Sequence, residues 1–89
     1  MPRPKHTDQN VQQRIAGRIR QARQDRGLTQ EQLAETLDVA TETVSRYEAG
    51  KLPPSLPMLY WLADALGVDI ESLVGRGPAA PRSAEAELV

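Results

Sequence analysis

Apolar residues recur three or four positions apart in five short stretches of the chain, which is the spacing of amphipathic helices. The first stretch runs from Asn10 to Gly27. Asn10 with Gln13 resembles a capping box at its start, and Gly27 predicts its end. Arg and Gln fill the other faces of this helix, and its apolar face consists of Val11, Ile15, Ile19 and Ala22.

The second and third stretches lie close together in residues 29–51, TQEQLAETLDVATETVSRYEAGK. Thr29 with Gln32 predicts a capping box that opens a helix ending near Asp38. The next helix is predicted over residues 41–49. A gap of about four residues is too short for an antiparallel hairpin of long helices and is typical of a helix-turn-helix. The residues expected to be buried are Leu33, Ala34, Leu37, Val44 and Tyr47.

A fourth helix follows the break at Leu52-Pro53-Pro54. Ser55 is its predicted cap, Pro57 is tolerated in its first turn, and Gly67 ends it. Its core face is predicted to hold Leu59, Leu62, Ala63 and Leu66. Asp69 caps a short fifth helix with Ile70, Leu73 and Val74 as apolar residues. The pattern therefore predicts an all-α fold of five short helices without strands.

The chain divides into three parts by composition. Residues 1–9 hold two prolines and no apolar period, so a flexible arm is expected, with His6 solvated in it. Residues 10–75 form the folded domain. Residues 76–89 lack the apolar density to fold, and a disordered tail is expected there.

Composition narrows the possible functions. The 89 residues allow one small domain, and without cysteine there are neither disulfides nor thiolate metal sites. One histidine alone builds no zinc site. No apolar run of about 18 residues occurs, so no membrane span is expected and the protein is expected to be cytoplasmic. Without a glycine-rich phosphate loop or a carboxylate pair in a plausible cleft, an enzyme, a cofactor and a small-molecule ligand are not expected.

Charge is distributed unevenly, although the net charge is only −1. Residues 1–28 carry seven Lys or Arg and two Asp, whereas residues 29–75 carry two Lys or Arg and eight Asp or Glu. This asymmetry fits a basic side facing DNA and an acidic rear. An ordinary solvated helix gives the same count, so charge alone leaves both interpretations open.

The order and spacing of these residues resemble the Cro/lambda-repressor-like helix-turn-helix proteins, also called XRE-type regulators. The resemblance covers residues 11–74. It is carried by Arg23, Gly27-Leu28-Thr29-Gln30, Leu33-Ala34, Val39, Val44-Ser45-Arg46-Tyr47-Glu48, Gly50-Lys51, Pro54-Ser55-Leu56, Leu62-Ala63, Ala65-Leu66-Gly67-Val68 and Leu73. It implies a compact lambda-repressor-like domain and a sequence-specific regulator of transcription that binds double-stranded DNA. Helices of this kind read the major groove.

The resemblance implies base contacts from the third helix. Its exposed face offers Thr41, Glu42, Thr43 and Arg46 to base edges. Arg46 can donate to guanine O6 and N7, and the threonines can contact bases or a thymine methyl. Glu42 either accepts from cytosine N4 or faces away and disfavours wrong sites. Each of these side chains could also be simply solvated.

Contacts to phosphate and one internal ion pair are implied in the same way. The expected phosphate contacts are Thr29, Gln30, Ser45, Lys51 and Arg23, with Arg3 and Lys5 of the arm as weaker candidates. The family pattern also pairs Arg23 with Glu48 in a salt bridge that orients the third helix.

Two positions depart from the family pattern. Asp38 stands where glycine is usual, in a turn that requires positive φ, which Asp tolerates better than most residues. Ala40 stands where a capping Ser or Thr is usual. Thr41 is then an alternative cap, which would weaken it as a base contact.

A single unit reads about half of a two-fold operator, so a homodimer is expected. The candidate interface residues are Met58, Tyr60, Trp61, Ile70 and Val74. Alternatively, the aromatic residues complete a small core. A protein-interaction module, either a coactivator bridge or an antitoxin-like protein, is the alternative function for the same fold.

Overall fold

The computed structural model describes residues 8–75 and contains five helices in this range. They are α1 (Asp8–Asp25), α2 (Gln30–Leu37), α3 (Thr41–Glu48), α4 (Leu56–Leu66) and α5 (Ile70–Val74). Within the described residues there is no strand, so the predicted all-α, five-helix fold with a helix-turn-helix at α2–α3 is confirmed. The predicted tail at residues 76–89 and most of the predicted arm, with Arg3, Lys5 and His6, lie outside the described residues.

Local signals set the starts of α2 and α4 as predicted. Thr29 Oγ1 accepts from the Gln32 backbone N–H at 3.0 Å, and Gln32 Oε1 accepts from the Thr29 N–H at 2.9 Å. Ser55 Oγ accepts from the Met58 N–H at 3.2 Å.

The predicted start of α1 is wrong. Its helix already runs through Asp8 and Gln9, neither of which breaks a helix, so Asn10 lies inside α1 and is not its cap.

The first four helices end with the same backbone arrangement, a Schellman motif. In each, an N–H donates to the carbonyl five residues earlier. The pairs are Leu28 to Arg23 (3.1 Å), Val39 to Ala34 (3.0 Å), Lys51 to Arg46 (3.0 Å) and Val68 to Ala63 (3.0 Å). The preceding residue has positive φ each time, and at the end of α2 it is Asp38, with φ 56° and ψ 47°. This left-handed conformation confirms the prediction for Asp38.

Each helix contributes one fully buried large side chain to a single core. These are Ile19, Leu33, Val44, Leu62 and Leu73. Full burial of such a side chain stabilises the fold by roughly 1.5–3 kcal/mol. Five short helices that are marginal in isolation are therefore held by tertiary packing.

Met58 is part of this core, with 8% of its surface exposed, so its predicted place on an exposed patch is wrong. The physical reason is its spacing. Met58, Leu62 and Leu66 follow one another at four-residue intervals, and the buried stripe of α4 is wide enough to include them beside Leu59 and Ala63. Val11, predicted on the core face of α1, is exposed.

Two arginines of the basic first helix hold α5 in place. Arg14 Nη2 donates to the Val74 carbonyl at 3.2 Å, and Arg18 Nη1 donates to the Ser72 carbonyl at 3.0 Å. Carbonyls at a helix C-terminus lack partners within the helix, and cations are favourable there. The first helix is therefore not a uniform basic side facing DNA, since these charges serve packing.

Within residues 8–75 no helix has the length and apolarity that crossing a membrane requires. The same residues contain no group of three or more His, Cys, Asp or Glu that could hold a metal ion.

The conformation of Asp38 gives a stability prediction. Asp38→Gly should raise the free energy of unfolding by up to about 1 kcal/mol, because glycine adopts the left-handed region without steric cost. Asp38→Ala should lower it by about 1 kcal/mol, because alanine keeps Cβ and loses the local hydrogen bonding open to Asp. Urea denaturation followed by circular dichroism measures both. Equal stability of the two variants would show that backbone strain is not the constraint here.

Candidate nucleic-acid interface

Helix α3 has one buried face and one exposed face. Val44 and Tyr47 point into the core. The residues on the other side are Thr41, Glu42, Ser45 and Arg46, which are exposed, and Thr43, which is half-buried. All four predicted base-contacting residues therefore lie on or beside the outward face of one eight-residue helix.

The N-terminus of α3 has no side-chain cap. Ala40 occupies the cap position with extended backbone, and its carbonyl accepts from the Thr43 N–H at 2.9 Å. Thr41 is the first helical residue, so the alternative in which Thr41 is the cap is wrong. The helix starts here because the Ala40 carbonyl already takes part in the first helical bonds. The Thr41 side chain therefore stays a candidate for contact with bases.

Glu42 and Arg46 form an ion pair along the exposed side of α3. Arg46 Nη2 donates to Glu42 Oε1 at 2.9 Å, one helical turn apart. Both side chains are well exposed, at 71% for Glu42 and 57% for Arg46. In water such a pair contributes about 0.3–0.5 kcal/mol to stability, so the fold does not depend on it.

Glu48, the last residue of α3, forms the predicted salt bridge with Arg23 of α1. Arg23 Nε donates to Glu48 Oε2 at 2.6 Å and Arg23 Nη2 donates to Glu48 Oε1 at 3.0 Å, which is a bidentate geometry. Only 3% of the Glu48 side chain and 12% of the Arg23 side chain are exposed. The hydrogen bond to Glu48 and its negative charge raise the pKa of Arg23 above its usual value against the opposing effect of burial, so this arginine stays charged.

Two further contacts complete this network. Arg23 Nη1 donates to the Leu28 carbonyl at 2.7 Å, in the turn before α2. Gln30 Nε2 donates to Glu48 Oε1 at 3.1 Å. The carboxylate of Glu48 therefore connects α1, α2 and α3. A side-chain amide has two N–H donors, and the bond to Glu48 uses one of those of Gln30.

The loop after α3 is fixed by α1. Gln12 Nε2 donates to the Gly50 carbonyl at 2.6 Å, and the Lys51 and Leu52 N–H groups donate to the Arg46 carbonyl at 3.0 and 3.3 Å. Lys51 itself is exposed. Thr29 and Ser45 are exposed as well, so these three predicted phosphate contacts are accessible.

Some of these contacts could not be read from the sequence. The pairing of Glu42 with Arg46 has a signal, their spacing of four residues on a helix. The contacts of Gln12 with Gly50 and of Gln30 with Glu48 have none, because they join residues 38 and 18 positions apart.

The predicted dimer residues divide into two groups. Tyr60 and Trp61 on α4 are exposed, at 54% and 56%. Ile70 and Val74 are half-buried and pack against the core. Beside Trp61 lies an open groove of about 480 Å³ between α2 and α4, lined also by Thr36, Leu37, Asp64 and Ala65.

A short helix packed across the core, followed by a second helix that presents polar side chains outward, defines a helix-turn-helix protein. The sequence agrees, because residues 19–73 match the model of the family described as Helix-turn-helix. This match covers more than half of the chain. The chain therefore belongs to the Cro/lambda-repressor-like (XRE-type) helix-turn-helix family of DNA-binding transcription regulators.

Known relatives agree with this assignment. An uncharacterized HTH-type transcriptional regulator of Methanothermobacter thermautotrophicus is 45% identical over 49 residues, which is 55% of this chain and 71% of the relative. Multiprotein-bridging factor 1a of Arabidopsis thaliana is 36% identical over 64 residues, 72% of this chain and 45% of that protein. Among solved structures, the restriction-modification controller protein C.AhdI from Aeromonas hydrophila has a TM-score of 0.65 and 31% identity, over 68% of this chain and 92% of that one.

The buried network gives a prediction about stability. Glu48→Gln and Arg23→Met should each lower the free energy of unfolding by about 3 kcal/mol, because each leaves a charge buried without its partner. In a double-mutant cycle measured by urea denaturation, the coupling between these positions should reach about 2 kcal/mol.

The exposed pair on α3 supplies the control for this cycle. The same substitutions at Glu42 and Arg46 should show a coupling below about 0.5 kcal/mol, because water screens that pair. Equal coupling in the two cycles would contradict a special role for the buried pair.

Proposed function

We propose that this protein is a sequence-specific regulator of transcription that inserts α3 into the major groove of double-stranded DNA. The observation that carries the proposal is the outward face of α3, held by the buried carboxylate of Glu48 at its far end. An α-helix fits the major groove, where each base pair shows a distinct pattern of donors and acceptors. With DNA as its target, the protein would act in the cytoplasm of a bacterial cell.

In this complex the outward residues would divide into two roles. Thr41, Glu42, Thr43 and Arg46 would face base edges, with Arg46 donating to guanine O6 and N7. The backbone of the DNA would be contacted by Thr29, Gln30, Ser45, Lys51 and Arg23. Arg23 would contribute least to these backbone contacts, because three of its five N–H donors already bind Glu48 and Leu28.

We further propose that the protein binds a two-fold operator as a homodimer. One α3 reads a half-site, and half-sites on one face of B-DNA lie about one helical turn apart. The exposed Tyr60 and Trp61 are the strongest candidates for the self-complementary surface, with Ile70 and Val74 at its margin. Burial removes Met58 from this set.

The test of DNA reading is selection of bound duplexes from a random pool. The wild-type protein should enrich one sequence class containing guanine, and its affinity should fall as salt rises from 50 to 200 mM. Arg46→Ala should weaken discrimination at one guanine by about 1–3 kcal/mol in competition binding. Arg20→Ala, an exposed arginine on α1, is the control for charge and should leave the selected sequence unchanged. Absence of enrichment together with a salt slope near zero would rule the proposal out.

The dimer is tested by sedimentation. Tyr60→Ala with Trp61→Ala should raise the dimer dissociation constant at least tenfold, because exposed aromatic residues that become buried carry much of an interface's energy. Leu52→Ala is the control, since Leu52 is an exposed apolar residue that lies before α4 and is not among the proposed interface residues. A dimer unaffected by the double change, or weakened equally by the control, would contradict this surface.

A second candidate function is a protein-interaction module, favoured by the exposed Trp61 beside its groove and by the likeness to a protein named for multiprotein bridging. The two functions differ in which surface matters. A bridging module would lose partner binding when Trp61 is changed and would be insensitive to Arg46→Ala.

A further inference from the structure

The ion pair of Glu42 and Arg46 lies on the outward face of α3, which is the face proposed to contact DNA. Glu42 places a carboxylate in the first turn of α3, on the surface that is proposed to approach DNA, a polyanion. Its oxygen Oε1 lies 2.9 Å from Arg46 Nη2, so the guanidinium of Arg46 is engaged before any DNA is bound. The third charged residue on this helix is Glu48, whose carboxylate is turned inward and buried. The outward face of α3 therefore carries one positive and one negative charge.

A neutral pair behaves differently from a lone arginine near phosphate. If Arg46 turned to a phosphate oxygen, it would either leave Glu42 or bring the carboxylate toward the phosphate, where like charges repel. A lone arginine gains from any phosphate, whatever the sequence. Glu42 therefore opposes the sequence-independent part of binding by Arg46.

The same pair fits one kind of base pair well. An arginine has five N–H donors, and the contact with Glu42 uses one, so a fork remains for guanine O6 and N7. The carboxylate has acceptor positions left for the amino group of cytosine N4. A G·C pair offers both the guanine acceptors and the cytosine amino group, so it satisfies both side chains in the major groove. A phosphate satisfies only one of them.

We propose that Glu42 is a specificity-determining residue that acts through Arg46: it positions the guanidinium for guanine, accepts from cytosine, and penalises contact of Arg46 with phosphate. The pair is then one reading unit, whose two members discriminate at the same site. This inference rests on the proposed function, because it requires α3 to lie in the major groove.

The deciding variant is Glu42→Gln, which removes the charge and keeps the shape. Glu42 is 71% exposed, so the fold should be unaffected. On duplexes of unrelated sequence, the slope of log K against log salt should become steeper by about 0.9, the value for one added phosphate contact. On the duplex selected by the wild-type protein, preference for the G·C pair read by Arg46 should fall by about fivefold or more. Glu42→Asp keeps the charge on a shorter side chain and should retain the shallow salt slope.

Glu71→Gln is the matched control, because it makes the same charge change at an exposed position on α5, which packs against α1 and α4. It should leave both the salt slope and the base preference as they are in the wild type. If it steepens the slope as much as Glu42→Gln does, a general charge effect explains the result and the inference is overturned.

Two other outcomes would also overturn it. One is an unchanged base preference in Glu42→Gln. The other is a loss of preference at a base pair different from the one affected by Arg46→Ala, which would show that Glu42 reads DNA independently. Failure of the proposed function is distinguishable from these, because it would show as an absence of enrichment and of salt dependence in the wild-type protein itself.

Discussion

The arrangement of the first three helices depends on the hydrogen bonds that the carboxylate of Glu48 accepts. It accepts two hydrogen bonds from Arg23 of α1 and one from Gln30 of α2, while it belongs to α3. A helix of eight residues has little stability of its own, so α3 depends on these bonds and on the burial of Val44 and Tyr47. Because the carboxylate is nearly excluded from water, its bonds to Arg23 are directional and strong. They fix which side of α3 faces outward, and so which residues can meet a ligand.

The turns on either side of this network set the remaining geometry. The chain leaves α2 through Asp38 in the left-handed conformation, and it leaves α3 through Gly50, whose carbonyl is held by Gln12 of α1. The end of α1 is tied in through the same guanidinium, since Arg23 also holds the Leu28 carbonyl. The outward face of α3 is therefore bounded by two fixed turns, and the exposed Lys51 lies immediately beyond the second.

Features that depend on neighbours in sequence could be predicted, and features that depend on packing could not. The caps at Thr29 and Ser55 follow from local chemistry, and the structure confirms both. The left-handed turn at Asp38 was expected from the family pattern, in which glycine is usual there, and it is confirmed as well. The pairing of Arg23 with Glu48 came from the resemblance to a family, since nothing local joins residues 25 positions apart. Met58 was misplaced because helical spacing alone does not define how wide a buried stripe is. The α5 contacts of Arg14 and Arg18 were missed because a run of arginines has the same composition whether its members face a ligand or a helix end.

The distribution of these arginines bears on how the protein would bind a polyanion. Arg14, Arg18 and Arg23 all donate hydrogen bonds to groups within the fold, so much of the positive charge of α1 already has partners inside the protein. On α3 the charge of Arg46 is balanced by Glu42. Proteins that hold DNA mainly by phosphate contacts present many uncommitted cations, and their affinity depends little on sequence. In the proposed complex, the outward face of α3 would offer hydroxyl groups and one neutral ion pair to DNA. That face would gain little from an arbitrary duplex, so the contribution of α3 to binding would come mainly from base edges that match it.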